Sequence, residues 1–348
     1  MIDKNYCMSS YLALRCIERD DVDFYPELHH ESIYRTPDTE QIKVASSEDI
    51  DRELKKQFEP FKNARKGVML SGGMDSAIVA SYMNGSDAYT FRFLGGNFQT
   101  EELRRAEHYA ERYGLRLHYV DIDWKTVENY LDPIMRCKAA PVHSIEPQIM
   151  QAALQAKSDS VEVMFIGDGS DYIFGGMDKL LAQDWTFDAF MERYIFTNPS
   201  AVLKQPVSMQ YIFERYRTGK DGIDYLAFFR EVCTAESFAS YANAFQAAEM
   251  PFYDPYAKLE MSSPLDLHRI RNGEPKYLVR ELMAKKYPEI PVPNKNPMPR
   301  PVDVYFKDWK GPVRPEFRTD LDMSQFSGNQ KWQLYCLERF LNLFEPLK

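Results

Sequence analysis

Leu70-Ser71-Gly72-Gly73-Met74-Asp75-Ser76 packs the most chemistry into the shortest run of this sequence. Paired glycines let a backbone approach a phosphate closely, and the N–H groups of a chain entering a helix point at it. The hydroxyls of Ser71 and Ser76 add donors, and Asp75 suits a magnesium ion bridging to phosphate oxygens. No Gly-Lys-Ser/Thr follows, so this is not a Walker loop. A plain Gly-Gly turn between strand and helix is the bland alternative. A second run, Ile166-Gly167-Asp168-Gly169-Ser170-Asp171-Tyr172-Ile173-Phe174-Gly175-Gly176, sets Asp168 and Asp171 among glycines. By type alone those aspartates also suit a helix cap or a tight turn. His143 and Glu146 lie between Pro141 and Pro147, and by type alone a lone histidine is more often structural.

The elements that must carry these residues alternate in type. Gly67–Leu70 is a short apolar run ending at the first glycine pair, and Ala77–Met83 reads as the helix beyond it. Ala88–Phe93 and Leu115–Ile122 read as strands, with Glu101–Tyr113 a helix between them. A helix near Glu146–Ala156 leads to the apolar run Val161–Ile166. Strand–helix alternation predicts an α/β fold, a Rossmann-like parallel sheet flanked by helices. Upstream, Ser47–Lys56 reads as a helix capped by Ser46 or Ser47. Beyond Asp184 the chain turns to aromatic-rich helical segments, Phe187–Tyr194, Tyr225–Val232 and Trp332–Phe344, predicting a mostly helical C-terminal half. The Pro-rich Tyr287–Pro301 reads as a loop. The expected organisation is an N-terminal extension, residues 1–55, packed on a domain of residues 56–348. Its sheet part covers about 56–183 and its helical part about 184–348.

The bulk composition narrows the classes. A net charge of −9 is a poor basis for general nucleic-acid binding. Five scattered cysteines, Cys7, Cys16, Cys137, Cys233 and Cys336, never fall as Cys-x-x-Cys, which argues against a disulfide framework or structural zinc. No signal pattern opens the chain and no apolar run is long enough to span a membrane, so a reducing, cytoplasmic location is expected.

Ser-Gly-Gly-x-Asp-Ser resembles the pyrophosphate loop of the PP-loop ATP pyrophosphatases, which cleave ATP between the α and β phosphates. Three further runs narrow the resemblance to the synthetase domain of the asparagine synthetase family. They are Ile166–Gly176, Pro251-Phe252-Tyr253-Asp254 and Gly273-Glu274-Pro275-Lys276-Tyr277-Leu278-Val279-Arg280, in the family's order. Asn294-Lys295 and Pro299–Trp309 are similar more loosely. The resemblance implies ATP and Mg²⁺ as cofactors. Leu70 and Phe91 would flank the adenine, with Gly167 and Lys276 also on the nucleotide. His143 and Glu146 lie in the loop-to-helix region where family members often line the acceptor site, which makes them candidates to hold a substrate amine or carboxylate. Asp171 would be the second magnesium carboxylate beside Asp75, and Lys295 would stabilise the adenylation transition state. Asp168 would accept a proton from an incoming amine, making ammonia or an external amine the nucleophile. By residue type, Lys295 also reads as a solvated surface lysine, and Lys276 as a structural residue on a helix with Arg280.

The sequence departs from that family in three ways. Ile2 stands where a glutaminase cysteine nucleophile would follow Met1, and about sixty residues are too few for a glutaminase domain. The nitrogen is therefore expected from free ammonia, a separate glutaminase or pathway enzyme, or an amine co-substrate. Tyr172 replaces the acidic residue that usually follows Ser-Asp. The family's aspartate-recognition pattern is not evident. The expected activity is an AMP-forming, amide-bond-forming ligase. A tRNA-modifying or sulfur-transferring enzyme and a catalytically silent nucleotide-binding subunit are the alternatives.

Overall fold

The computed structural model of the protein describes residues 1–31, 40–94, 99–293 and 300–347. Its strands are β1 (Ile42–Val44), β2 (Lys66–Met69), β3 (Asp87–Phe93), β4 (Arg116–Ile122), β5 (Val163–Phe165), β6 (Arg217–Thr218), β7 (Gly222–Ile223), β8 (Phe252–Tyr253) and β9 (Leu259–Met261). The main sheet is five-stranded and parallel, in the order β4-β3-β2-β5-β8. Val68 sits in register between Ala88 and Phe165, and Phe165 lies opposite Tyr253. A short parallel pair, β1 with β9, and the antiparallel hairpin β6–β7 stand apart.

Side chains on a strand alternate between the two faces, and here each face feeds its own core. Val68, Leu70, Ala88, Val163 and Phe165 join one cluster, with Ile50, Ala77, Tyr109 and Leu282. Those partners come from the helices Ser47–Gln57, Met74–Ala80, Thr100–Arg112 and Tyr277–Lys286. Met69, Tyr89, Phe93, Val120, Ile122, Met164 and Ile166 join the other, with Leu131, Ile149 and Leu12. Helices Trp124–Lys138, Glu146–Ser158 and Lys4–Leu14 supply them. Both faces being covered explains why the strands read as continuous apolar runs.

The expected strands of the sheet part are present, with ends shifted by a residue or two. The helix expected over Ala77–Met83 instead spans Met74–Ala80, because Gly73 takes the extended cap conformation and starts the turn early. Ser46, not Ser47, caps Ser47–Gln57 by accepting a hydrogen bond from the Asp49 N–H. Tyr225–Val232 breaks into Tyr225–Phe228 and a π-helical stretch, Phe229–Cys233, before Thr234–Ala247 continues. A π stretch widens a helix locally and often accompanies a functional site. The N-terminal helix Lys4–Leu14 is buried from Tyr6 to Leu14. The Phe196 and Thr197 N–H groups donate to Ala13 and Leu12 carbonyls, each at 2.9 Å. Gln333 Nε2 donates to the Tyr11 carbonyl at 2.7 Å.

Candidate active site

β2 has β3 on one side and β5 on the other, so the chain reverses its direction of travel across the sheet between them. In an open parallel sheet such a reversal opens a crevice at the carboxyl ends of the strands. Leu70–Gly73 leaves β2 into this crevice, and Ile166–Gly169 leaves β5 beside it. A cleft of about 320 Å³ lies there, lined by both loops.

The first loop is held by its own hydroxyls. Ser71 N–H donates to Ser76 Oγ at 3.0 Å, and Gly73 N–H to Ser71 Oγ at 3.1 Å. The two serine hydroxyls lie 3.0 Å apart. Arg105 Nε donates to the Gly72 carbonyl at 2.8 Å and fixes the loop from outside. A Cβ on Gly72 would stand 2.6 Å from the Glu102 backbone, so no larger residue fits. The second loop packs directly on the first: a Cβ on Gly167 would lie 3.0 Å from the Asp75 carbonyl carbon.

Three charged groups join the loops. Lys276 Nζ donates to Asp75 Oδ2 at 2.6 Å and lies 2.7 Å from Asp171 Oδ1. Ser170 Oγ donates to Asp75 Oδ1 at 2.7 Å. Lys276 is only 2% exposed and caps Tyr277–Lys286 from a left-handed conformation, φ 54°. Burial works against its charge, but the Asp75 and Asp171 carboxylates outweigh that and hold its pKa above the ordinary value. Gly176 is required here, since a Cβ would overlap Asp171 Oδ1 and sit 2.9 Å from Lys276 Cδ. Among the described residues there is no group of three or more His, Cys, Asp or Glu able to hold a metal. Two converging carboxylates do fit Mg²⁺, which commonly takes one or two from the protein and the rest from phosphate oxygens and water.

Asp168 accepts both contacts of the Ser237 hydroxyl, at 3.0 and 2.8 Å. Burial, then the nearby Asp254 charge, pushes its pKa well above the usual carboxylate range, and Ser237 partly offsets them. Asp254, at the end of β8, accepts the Gly169 N–H at 2.9 Å and the Tyr256 N–H at 3.0 Å. The Pro-Phe-Tyr-Asp run is thus an edge strand plus the carboxylate that shapes the second loop.

Of the sequence-predicted residues, Leu70 to Ser76, Phe91, Gly167, Asp168, Asp171, Lys276 and His143 line this one cleft. Glu146 does not: it is fully buried behind His143, accepting the His143 backbone N–H at 2.8 Å, with Lys138 Nζ at 3.6 Å. Burial pushes its pKa up to about 7. Lys295 falls in 294–299, outside the described residues. Sequence reasoning missed Arg15, Arg105, Glu236, Ser237 and Arg300, which also line the cleft. Glu236 and Ser237 are neighbours on one helix and the other three stand alone, and no motif marks any of them.

The asparagine synthase family model matches residues 61–250. A probable glutamine-hydrolysing asparagine synthetase of Acanthamoeba polyphaga mimivirus is 22% identical over 162 residues, 42% of this chain. The match takes in 28% of that relative's length. Among solved structures, the U34-tRNA thiolase NcsA of Methanococcus maripaludis with its [4Fe-4S] cluster aligns over 92% of this chain and 88% of its own. Its identity is 15% and its TM-score 0.34. NMN synthetase of Francisella tularensis aligns over 73% and 100%, at 9% identity and a TM-score of 0.28. At those scores neither structure bears on function. The family match spans both cleft loops and more than half of the sequence, and on that ground the chain belongs to the asparagine synthase family.

Proposed function

We propose that the protein is an ATP-dependent ligase that adenylates a substrate carboxylate, releases pyrophosphate and passes the acyl group to ammonia or an amine. The observation that carries this reading is the convergence of Asp75 and Asp171 on one buried ammonium, between two glycine-rich loops at the sheet's reversal point. The N–H groups and hydroxyls of Ser71–Ser76 bind the β and γ phosphates, with Leu70 and Phe91 against the adenine. Asp75 and Asp171 are the residues that would hold Mg²⁺, which neutralises charge on the departing pyrophosphate.

The chain's own groups then do the following. A carboxylate oxygen of the acid attacks the α-phosphorus, the bond to the β-phosphate bridging oxygen breaks, and pyrophosphate leaves with its electron pair. Lys276 adds positive charge beside the leaving group, and Lys295 has the same role at the α-phosphate. The amine nitrogen then attacks the acyl carbon and AMP departs. Asp168, in its ionised form, takes the proton lost by that nitrogen, and its raised pKa makes it the stronger base. The nitrogen comes from free ammonia, which a separate glutaminase or pathway enzyme can supply, or from an amine co-substrate.

ATP–pyrophosphate exchange with radiolabelled pyrophosphate, run over a panel of carboxylic acids, tests this. Exchange that depends on one acid and vanishes in Asp75→Ala supports it. Release of ADP and phosphate in place of AMP and pyrophosphate overturns it.

A further inference from the structure

A second polar cluster lines the same cleft, built around Arg15 and Arg300. Arg15 Nη2 donates to Glu236 Oε2 at 3.1 Å. Arg300 Nη1 donates to His143 Nε2 at 3.1 Å, and Glu236 Oε1 lies 4.0 Å from that same nitrogen. Arg15 also borders an adjoining cavity of about 390 Å³, together with Tyr172, Phe196 and Glu236.

Arg15 and Arg300 bring two cations to this cluster, and Glu236 brings a carboxylate. Burial, then Arg300 and Arg15, drives the His143 pKa well below the ordinary value. Burial and the charge of Arg15 likewise work against the Arg300 guanidinium, while Glu236 favours it. Two guanidiniums thus share the wall of one cleft and oppose each other's charge, with Glu236 paired to Arg15. A further anion would relieve that repulsion, and the planar fork of arginine is matched to a carboxylate.

Arg15 is also placed with care. It ends the buried helix Lys4–Leu14 in a left-handed conformation, φ 64°, with its N–H donating to Tyr11 O at 2.8 Å. A non-glycine residue in that region is strained and persists where the surroundings fix it. Its guanidinium stands 4.8 Å over the Phe196 ring. Both Arg15 and Arg300 lie outside the span 61–250 that matches the family.

We propose that Arg15 and Arg300 form a carboxylate-binding subsite, taking a substrate carboxylate that does not itself react. Resting on the ligase reading above, this makes one of the two substrates an acid with a spare carboxylate. Either the acyl donor is a dicarboxylic acid or the nucleophile is an amino acid. It also makes the N-terminal segment a determinant of specificity.

The test compares wild type with Arg15→Gln, Arg15→Lys and Arg300→Gln. Exchange is measured with succinate against butanoate and glutarate against pentanoate. Amide formation is measured with glycine against ethylamine. Thermal shift with succinate and glutarate reports binding without turnover. If the acyl donor carries the spare carboxylate, Arg15→Gln and Arg300→Gln raise its exchange KM at least tenfold. The KM for ATP stays within twofold, and Arg15→Lys recovers part of the loss. If the nucleophile carries it, exchange is untouched and only the KM for the amino acid rises. Unchanged KM values for acid and amine in variants that melt like wild type overturn the subsite. A wild type that shows no exchange with any acid, yet is stabilised by dicarboxylates only while Arg15 is present, would sink the ligase reading and leave the subsite standing.

Discussion

The Ser237 hydroxyl lies within hydrogen-bond distance of both Asp168 oxygens, at 3.0 and 2.8 Å, across 69 residues of sequence. It is the interaction that holds down the pKa of a carboxylate otherwise driven upward by burial and by Asp254. Removing it in Ser237→Ala raises that pKa further. If Asp168 works ionised, the acidic limb of the pH profile for amide formation moves to higher pH. Exchange, which does not use the base, keeps its profile. A limb that stays put, or moves down, removes Asp168 from that role.

Lys276→Met leaves Asp75 and Asp171 facing each other with no ammonium between them. Breaking a buried pair by removing one partner is costly, and here about 2 kcal/mol or more of stability should go. The carboxylates keep a face to the cleft, which holds the loss below that of a fully enclosed pair. Exchange should fall by roughly a hundredfold or more. Calorimetric melting and exchange on the same preparation check both. An unshifted melting temperature would mean that the pair adds nothing to the fold.

Gly176→Ala tests the close packing of the same group. Its Cβ would overlap Asp171 Oδ1 and crowd Lys276 Cδ at 2.9 Å, so the carboxylate has to move. The expected result is a rise in the KM for magnesium-ATP with the far-ultraviolet circular dichroism unchanged. Wild-type kinetics in this variant would show that the position of Asp171 is immaterial.

Glu146 makes stability depend on pH. Its folded pKa of about 7 lies above the ordinary value of 4.5, because burial outweighs Lys138 and the His143 N–H. A raised carboxylate contributes stability that is complete below the lower value and is lost as pH rises through the upper one. Glu146→Gln keeps an acceptor for the His143 N–H and does not ionise. Its stability relative to wild type should therefore improve between about pH 5 and pH 8, read from urea midpoints. A constant difference across that window contradicts the raised pKa.

What the sequence made legible was what is contiguous. Ser71–Ser76 and Ile166–Gly176 announce themselves because two tight strand-to-helix loops that pack on each other need glycines, hydroxyls and carboxylates in consecutive positions. The strands were legible because both sheet faces are covered, giving unbroken apolar runs such as Val163–Phe165. Lys4–Leu14 was not foreseen as a helix, since burial from Tyr6 to Leu14 removes the polar stripe that periodicity relies on. Arg15, Glu236 and Arg300 were invisible for another reason. They meet only through tertiary packing, and no one of them has a neighbour in sequence that shares its task. The resemblance of Lys276 to a family lysine located it, but not its place between two aspartates, which is a property of the folded crevice.

Asp75 and Lys276 are separated by 201 residues. On a ribosome adding about 5 to 20 residues per second, Asp75 is made roughly 10 to 40 s before the cation that neutralises it. For that interval the nascent chain holds the first part of the crevice, and Asp75 lacks the Lys276 ammonium. The β2 and β5 loops therefore cannot settle into final form as the sheet grows. Assembly of the crevice waits until Lys276 has been made, and a chain released before that residue lacks the ammonium on which Asp75 and Asp171 converge.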